Sequence, residues 1–90
     1  MPQNQHTKTM SAAAPTNSAA SVLAANTDRK TAVIFNNGSV TVYLGKDGTV
    51  STANGLPLAP GSTLEDTDTQ DAWFGITASG TGDLRIVEVV

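Results

Sequence analysis

Between residue 37 and the C-terminus, turn-forming residues recur at short, fairly even intervals. Asn37-Gly38, Lys46-Asp47-Gly48, Asn54-Gly55, Pro60-Gly61 and Ser79-Gly80-Thr81-Gly82 divide the chain into short segments. Several of these segments are rich in Val, Ile, Leu, Thr and aromatic residues, the pattern of an all-β sandwich or barrel. Asn37 and Gly38 both tolerate the positive φ angles of a type I′ turn. They are therefore expected to close a hairpin between the flanking strands. Strands are expected over residues 29–36, 40–44, 49–51, 62–64, 72–78 and 83–89, with an earlier edge strand at 18–23 and a loop at 24–28.

The faces of these strands carry more information than their ends. Side chains alternate across a strand, so Val40, Val42 and Leu44 share one face and Thr41 and Tyr43 the other. That is a half-buried strand. By contrast, 31–35, 72–76 and 84–90 are apolar on both faces apart from their charges. A thin sandwich with such strands needs cover on an outer face, from the N-terminal segment or from another subunit.

Size sharpens that need. A folded chain of 90 residues buries only about 60% of the surface its unfolded form exposes. With no cysteine there is neither a disulfide nor a thiolate metal site to support a thin core. Oligomerisation or docking on a partner is the expected support. The formal net charge of −3 gives no electrostatic ground for nucleic-acid binding, which needs a basic stripe. No run approaches the roughly 20 apolar residues of a membrane span. The first ten residues lack the apolar stretch of a secretory signal. Neither nucleic acid nor membrane is expected as a partner, and synthesis is expected in the cytoplasm.

Residues 1–17 differ from the rest, being mostly Gln, Asn, Thr, Ser, Ala and Pro, with no apolar side chain larger than Met for a core. Such a segment does not offset its ordering entropy and is expected to be disordered in isolation. It reads either as an inert terminus or as an arm that orders on a partner, with a reach of about 55 Å when extended. The expected fold is thus all-β, a small antiparallel β-sandwich or jelly-roll-like barrel over residues 18–90. Residues 1–17 are expected to form a flexible, extended N-terminal arm.

Reactive constellations are sparse. The run Glu65-Asp66-Thr67-Asp68-Thr69-Gln70-Asp71 has carboxylates at calcium-like spacing but lacks the glycine and the closing bidentate Glu of an EF-hand loop. It reads as a solvated loop. His6 has no second His or Cys with which to hold a metal, and the Ser and Thr residues have no neighbouring base. Gly80-Thr81-Gly82 lacks the Lys of a phosphate loop. No catalytic residue, metal ligand or cofactor is expected, and the chain is read as a non-enzyme.

Four aromatic residues remain: Phe35, Tyr43, Trp73 and Phe74. Trp73 and Tyr43 suit stacking on a sugar if they are exposed, whereas packing is the plainer use of a large ring. Packing is expected, with Phe35, Phe74 and Ile76 inside and Trp73 at an interface or beneath the arm. Because strands 31–35 and 84–90 are apolar on both faces, Phe35, Val87 and Val89 join Trp73 and Tyr43 as candidate interface residues.

The order of phrases from Ser21 onward resembles a known group. Asn26-Thr27-Asp28-Arg29 precedes Ala32-Val33-Ile34-Phe35-Asn36-Asn37-Gly38 and Val42-Tyr43-Leu44-Gly45. Then come Asn54-Gly55-Leu56-Pro57-Leu58 and Trp73-Phe74-Gly75-Ile76-Thr77-Ala78-Ser79-Gly80-Thr81. Together these are similar to the small β-sandwich accessory virion proteins of tailed bacteriophages, of the head decoration (cement) or head-fibre type. The resemblance covers about three-quarters of the chain and carries over no reactive residue. It implies a structural protein on the capsid exterior, a homo-oligomer with a trimer favoured, that binds the major capsid protein across neighbouring subunits. A tail, neck or head-fibre attachment component, or a carbohydrate-binding adhesion module on the particle, is the alternative.

Overall fold

The computed structural model describes residues 7–67 and 70–90. The expectations placed on His6 and Asp68 lie outside the described residues. Strands follow in the order β1 (Lys8–Ala13), β2 (Ala20–Leu23), β3 (Thr31–Asn36), β4 (Val42–Gly45), β5 (Leu56–Leu58), β6 (Thr63–Asp66), β7 (Trp73–Thr77) and β8 (Leu84–Val89). They form two four-stranded antiparallel sheets, ordered β1-β8-β3-β6 and β2-β7-β4-β5. Every connection between successive strands except β4 to β5 crosses from one sheet to the other. This is the strand order of a jelly roll.

The core follows from alternation along each strand. Ala32, Ile34 and Asn36 of β3, Val42 and Leu44 of β4, and Leu84 and Ile86 of β8 point between the sheets and are buried. Val22, Leu23 and Leu58 complete the apolar cluster. A fully buried aliphatic side chain contributes about 1.5–3 kcal/mol relative to exposure.

Asn37-Gly38 does not form the expected type I′ hairpin. β3 and β4 lie in different sheets, and neither residue has a positive φ. The segment instead arches between the sheets around Asn36, whose buried amide Nδ2 donates to the carbonyls of Val40 and Leu58 at 2.9 and 2.8 Å. Its Oδ1 accepts the Gly38 N–H at 2.9 Å. Glycine stands at 38 because of close approach, since a Cβ there would lie 3.0 Å from the Asp83 backbone nitrogen. Positive φ occurs at Gly61, at 80°. With Pro60 before it and a Ser62 N–H to Ala59 carbonyl bond of 2.9 Å, it makes a type II turn.

The β4–β5 connection also departs from expectation, because residues 49–51 are not a strand and Leu56–Leu58 is one. The intervening loop bonds to itself: Thr49 N–H to Asp47 Oδ1 at 2.9 Å, Ser51 N–H to Asn54 Oδ1 at 2.8 Å and Gly55 N–H to Ser51 carbonyl at 2.8 Å. Val50 is buried beneath it.

The largest correction concerns the arm. Residues 8–13 are extended, as expected, but as β1 they pair along the whole of β8, from Lys8 opposite Val89 to Ala13 opposite Leu84. Composition argued for disorder because these side chains bury almost nothing, and in the structure they remain exposed except for Ala13. Pairing needs only backbone groups, and β8 supplies them. Past β1, Pro15 is buried, and its carbonyl accepts the Gly82 N–H at 2.8 Å. A Cβ on Gly82 would fall 3.1 Å from the Pro15 ring. The segment therefore lengthens a sheet and closes one end of the sandwich; it does not cover an outer face.

Candidate interaction surface

Strand register assigns each outward residue to a row across the first sheet. Met10, Val87, Val33 and Glu65 lie side by side on β1, β8, β3 and β6; Ala12, Arg85, Phe35 and Thr63 form the next row, and Lys8, Val89 and Thr31 the row on the other side. Directly opposite residues point to the same face. Their inward neighbours Ile34, Leu84 and Ile86 are fully buried, so these rows face away from the core. The result is a continuous apolar stripe of Met10, Val33, Phe35, Val87 and Val89. Met10 is 70% exposed and Phe35 36%.

Charge stands at the margins of this face. Lys8 sits on edge strand β1 and Glu65 on edge strand β6, both exposed. Arg85 folds back along its own strand onto Asp83, with Nε and Nη2 donating to the two carboxylate oxygens at 2.9 and 3.1 Å. Asn37 Nδ2 donates to the same carboxylate at 3.0 Å. Bonds from Arg85 first, and then from Asn37, hold the Asp83 carboxyl below its ordinary pKa.

The five candidate interface residues do not come together. Phe35, Val87 and Val89 share the stripe. Tyr43 lies on the outer face of the second sheet, opposite Ile76 and Pro57 in register. By alternation with the buried Gly75 and Thr77, Phe74 shares that outer face. Phe35, Phe74 and Ile76 therefore all point away from the interior in which sequence reasoning placed them. Trp73, expected at an interface or beneath the arm, is partly buried and packs against the core cluster. The reversal has one cause: β3 and β7 are both apolar on both faces, so alternation alone does not say which face is inside.

Trp73 has both its polar and its π functions engaged. Its Nε1 donates to the buried Asp66 at 2.8 Å, and the Lys46 ammonium stands 3.9 Å from the ring centroid. Burial pushes the Lys46 pKa below its ordinary value, against the raising influence of Asp66 and Asp71. An open recess of about 300 Å³ lies beside it, lined by Gly45, Lys46, Asp47, Thr49, Val50 and Asn54. Asp66, read as part of a solvated acidic loop, is thus a buried partner of Trp73. Among the described residues no three His, Cys, Asp or Glu side chains gather as metal ligands do.

Arg29 has a role that sequence reasoning did not assign. Fully buried at the end of the sandwich, its Nε donates to Glu88 at 2.8 Å. Nη1 donates to the Asp71 carbonyl at 2.9 Å and Nη2 to the Ala24 carbonyl at 2.7 Å. One guanidinium thus ties the β2–β3 and β6–β7 connections to β8. The available signal was Glu88, which alternation places on the same face of its strand as Leu84 and Ile86, since an inward carboxylate needs a cation. Met10 was missed too, although it is the one large apolar residue within β1.

No protein-family model matches the chain, and no curated protein matches it. Among solved structures, a chain of "Bacillus endospore appendages form a novel family of disulfide-linked pili" aligns with 99% of this chain and 92% of its own length. The identity is 18% and the TM-score 0.46. That neighbour lends no activity or partner to this chain.

Proposed function

We propose that the chain is a structural protein of a tailed-bacteriophage particle. In this reading it is a capsid decoration protein that stabilises the head from outside by contacting neighbouring copies of the major capsid protein. The observation that carries the reading furthest is the apolar stripe of Met10, Val33, Phe35, Val87 and Val89 on the outside of a small, cysteine-free sandwich. Leaving such a face in water is unfavourable and burying it against another protein surface, a second copy included, is favourable, as suits a subunit of an assembly. The phage-like order of sequence phrases supplies the particle. A homo-oligomer on the shell would multiply individually weak contacts through avidity.

The glycan-binding reading is disfavoured by Trp73, whose ring is covered on one side by Lys46 and whose N–H is already donated. The test is co-sedimentation of the full chain with head shells of the same virus assembled without it. Saturable binding to shells is the expected result. Binding to isolated tails or necks in place of shells would overturn the head assignment, and binding to neither would overturn the virion reading.

A further inference from the structure

We propose that the outer face of β1-β8-β3-β6 is a self-association face, on which the Glu65 edge of one copy meets the Lys8 edge of the next. The occupant is a second copy of this chain. The argument starts from the two ends of one face: β1 contributes a cation and β6 an anion, and both project outward on either side of the apolar stripe. Neither forms an ion pair among the described residues.

A face with opposite charges at its two lateral edges is complementary to itself under one kind of symmetry. When copies are related by rotation about an axis parallel to the strands, each residue keeps its height and the β6 edge of one copy adjoins the β1 edge of its neighbour. Glu65 shares its row with Met10, and Lys8 is two residues along β1. The offset is about 7 Å, within the combined reach of the two side chains. Rotation about an axis perpendicular to the sheet puts no second face on the first, and an in-plane axis across the strands lays β6 on β6 and sets Glu65 near Glu65. Charge therefore selects the strand-parallel axis.

Dimensions agree. Four strands at about 4.8 Å make a face about 19 Å wide. Three such faces around an axis stand about 5.5 Å from it, and two stacked faces about 5 Å from the plane between them, half the usual sheet-to-sheet spacing of about 10 Å. Either arrangement leaves the gap that one layer of Val, Phe and Met side chains fills. The face lies at the small end of specific interfaces, so association is concentration-dependent.

The inference deepens the homo-oligomer of the proposed function but is tested without any capsid, so its failure and that of the virion reading are separable. Sedimentation equilibrium of the full chain is expected to show a dimer or trimer of the 9.2 kDa protomer. Lys8→Glu and Glu65→Lys each weaken association about two- to fivefold, as for an exposed ion pair, and the double reversal restores it. Val87→Lys, in the middle of the stripe, abolishes association, with unchanged far-ultraviolet circular dichroism as the check on folding. A wild-type monomer at the highest soluble concentration overturns the proposal. So do single reversals without effect, or a double reversal that stays weak.

Discussion

Arg29 shows how much of this small structure rests on one polar side chain. Its guanidinium is removed from water and serves Glu88 and two main-chain carbonyls. Desolvating a charge is costly, and the cost is met here by bonds aimed at three parts of the chain. Arg29→Met keeps much of the volume and removes all of those donors. The loss expected is about 3–5 kcal/mol, the range for breaking a buried ion pair from one side, out of a total for domains of about 5–15 kcal/mol. Adding Glu88→Leu removes the stranded carboxylate and is expected to recover part of the loss. Urea denaturation of the two variants with an unchanged m value is the measurement. Equal instability of the single and double variants would mean that the carbonyl bonds, not Glu88, dominate.

At the scale of elements, β1 separates two kinds of sequence information. Hydrophobic patterning made β3, β4, β7 and β8 legible as strands, but only in β4, where Val42 and Leu44 alternate with Tyr43, does alternation record which face is buried. β1 carries no such record: Lys8, Thr9, Met10, Ser11 and Ala12 are exposed, and what holds them is the backbone edge of β8. A main-chain partner leaves almost no trace in side-chain identity. The same limit explains the Asn36-Asn37-Gly38 segment, where a bend was legible but its geometry was not. A long-range contact, the Asn36 amide reaching Leu58, decided between a hairpin and an arch. For the stripe, Phe35, Val87 and Val89 were legible as apolar positions on two-sided strands. Their union with Met10 became visible only through register.

The β1 attachment makes a specific prediction. The Val90 N–H donates to the Thr7 carbonyl at 2.9 Å, and antiparallel ladders alternate bonded and non-bonded pairs. Counting along the register from that pair, Thr9, Ser11 and Ala13 turn their N–H groups toward β8, while Lys8, Met10 and Ala12 turn theirs to the open edge. Proline is tolerated where the N–H faces solvent and breaks the ladder where it does not. Ser11→Pro is therefore expected to release β1 and cost about 2–3 kcal/mol, whereas Ala12→Pro costs well under half as much. Hydrogen exchange of the Leu84, Ile86 and Glu88 amides reads the difference directly. Equal protection in the two variants would show that the pairing is not as assigned.

The whole molecule is a two-layer sandwich whose closing parts, Pro15 at one end and Arg29 at the other, are single residues, and whose first sheet has apolar residues on both faces. Folding such a chain alone leaves Met10, Val33, Phe35, Val87 and Val89 in water; association removes that penalty and couples stability to concentration. Any equilibrium in which the folded form assembles and the unfolded form does not shifts toward folding by mass action. For a dimer or trimer, each tenfold rise in concentration adds about 0.7–0.9 kcal/mol per protomer, which in a domain of this size raises Tm by about 3–7 °C. Differential scanning calorimetry over two decades of concentration is expected to show that slope in the wild type and a flat line in Val87→Lys. Because the chain has no cysteine, added reductant leaves both curves where they are. A concentration-independent Tm in the wild type would mean that the sandwich holds its exposed stripe in water unaided, and that its stability comes from the two end closures and the core alone.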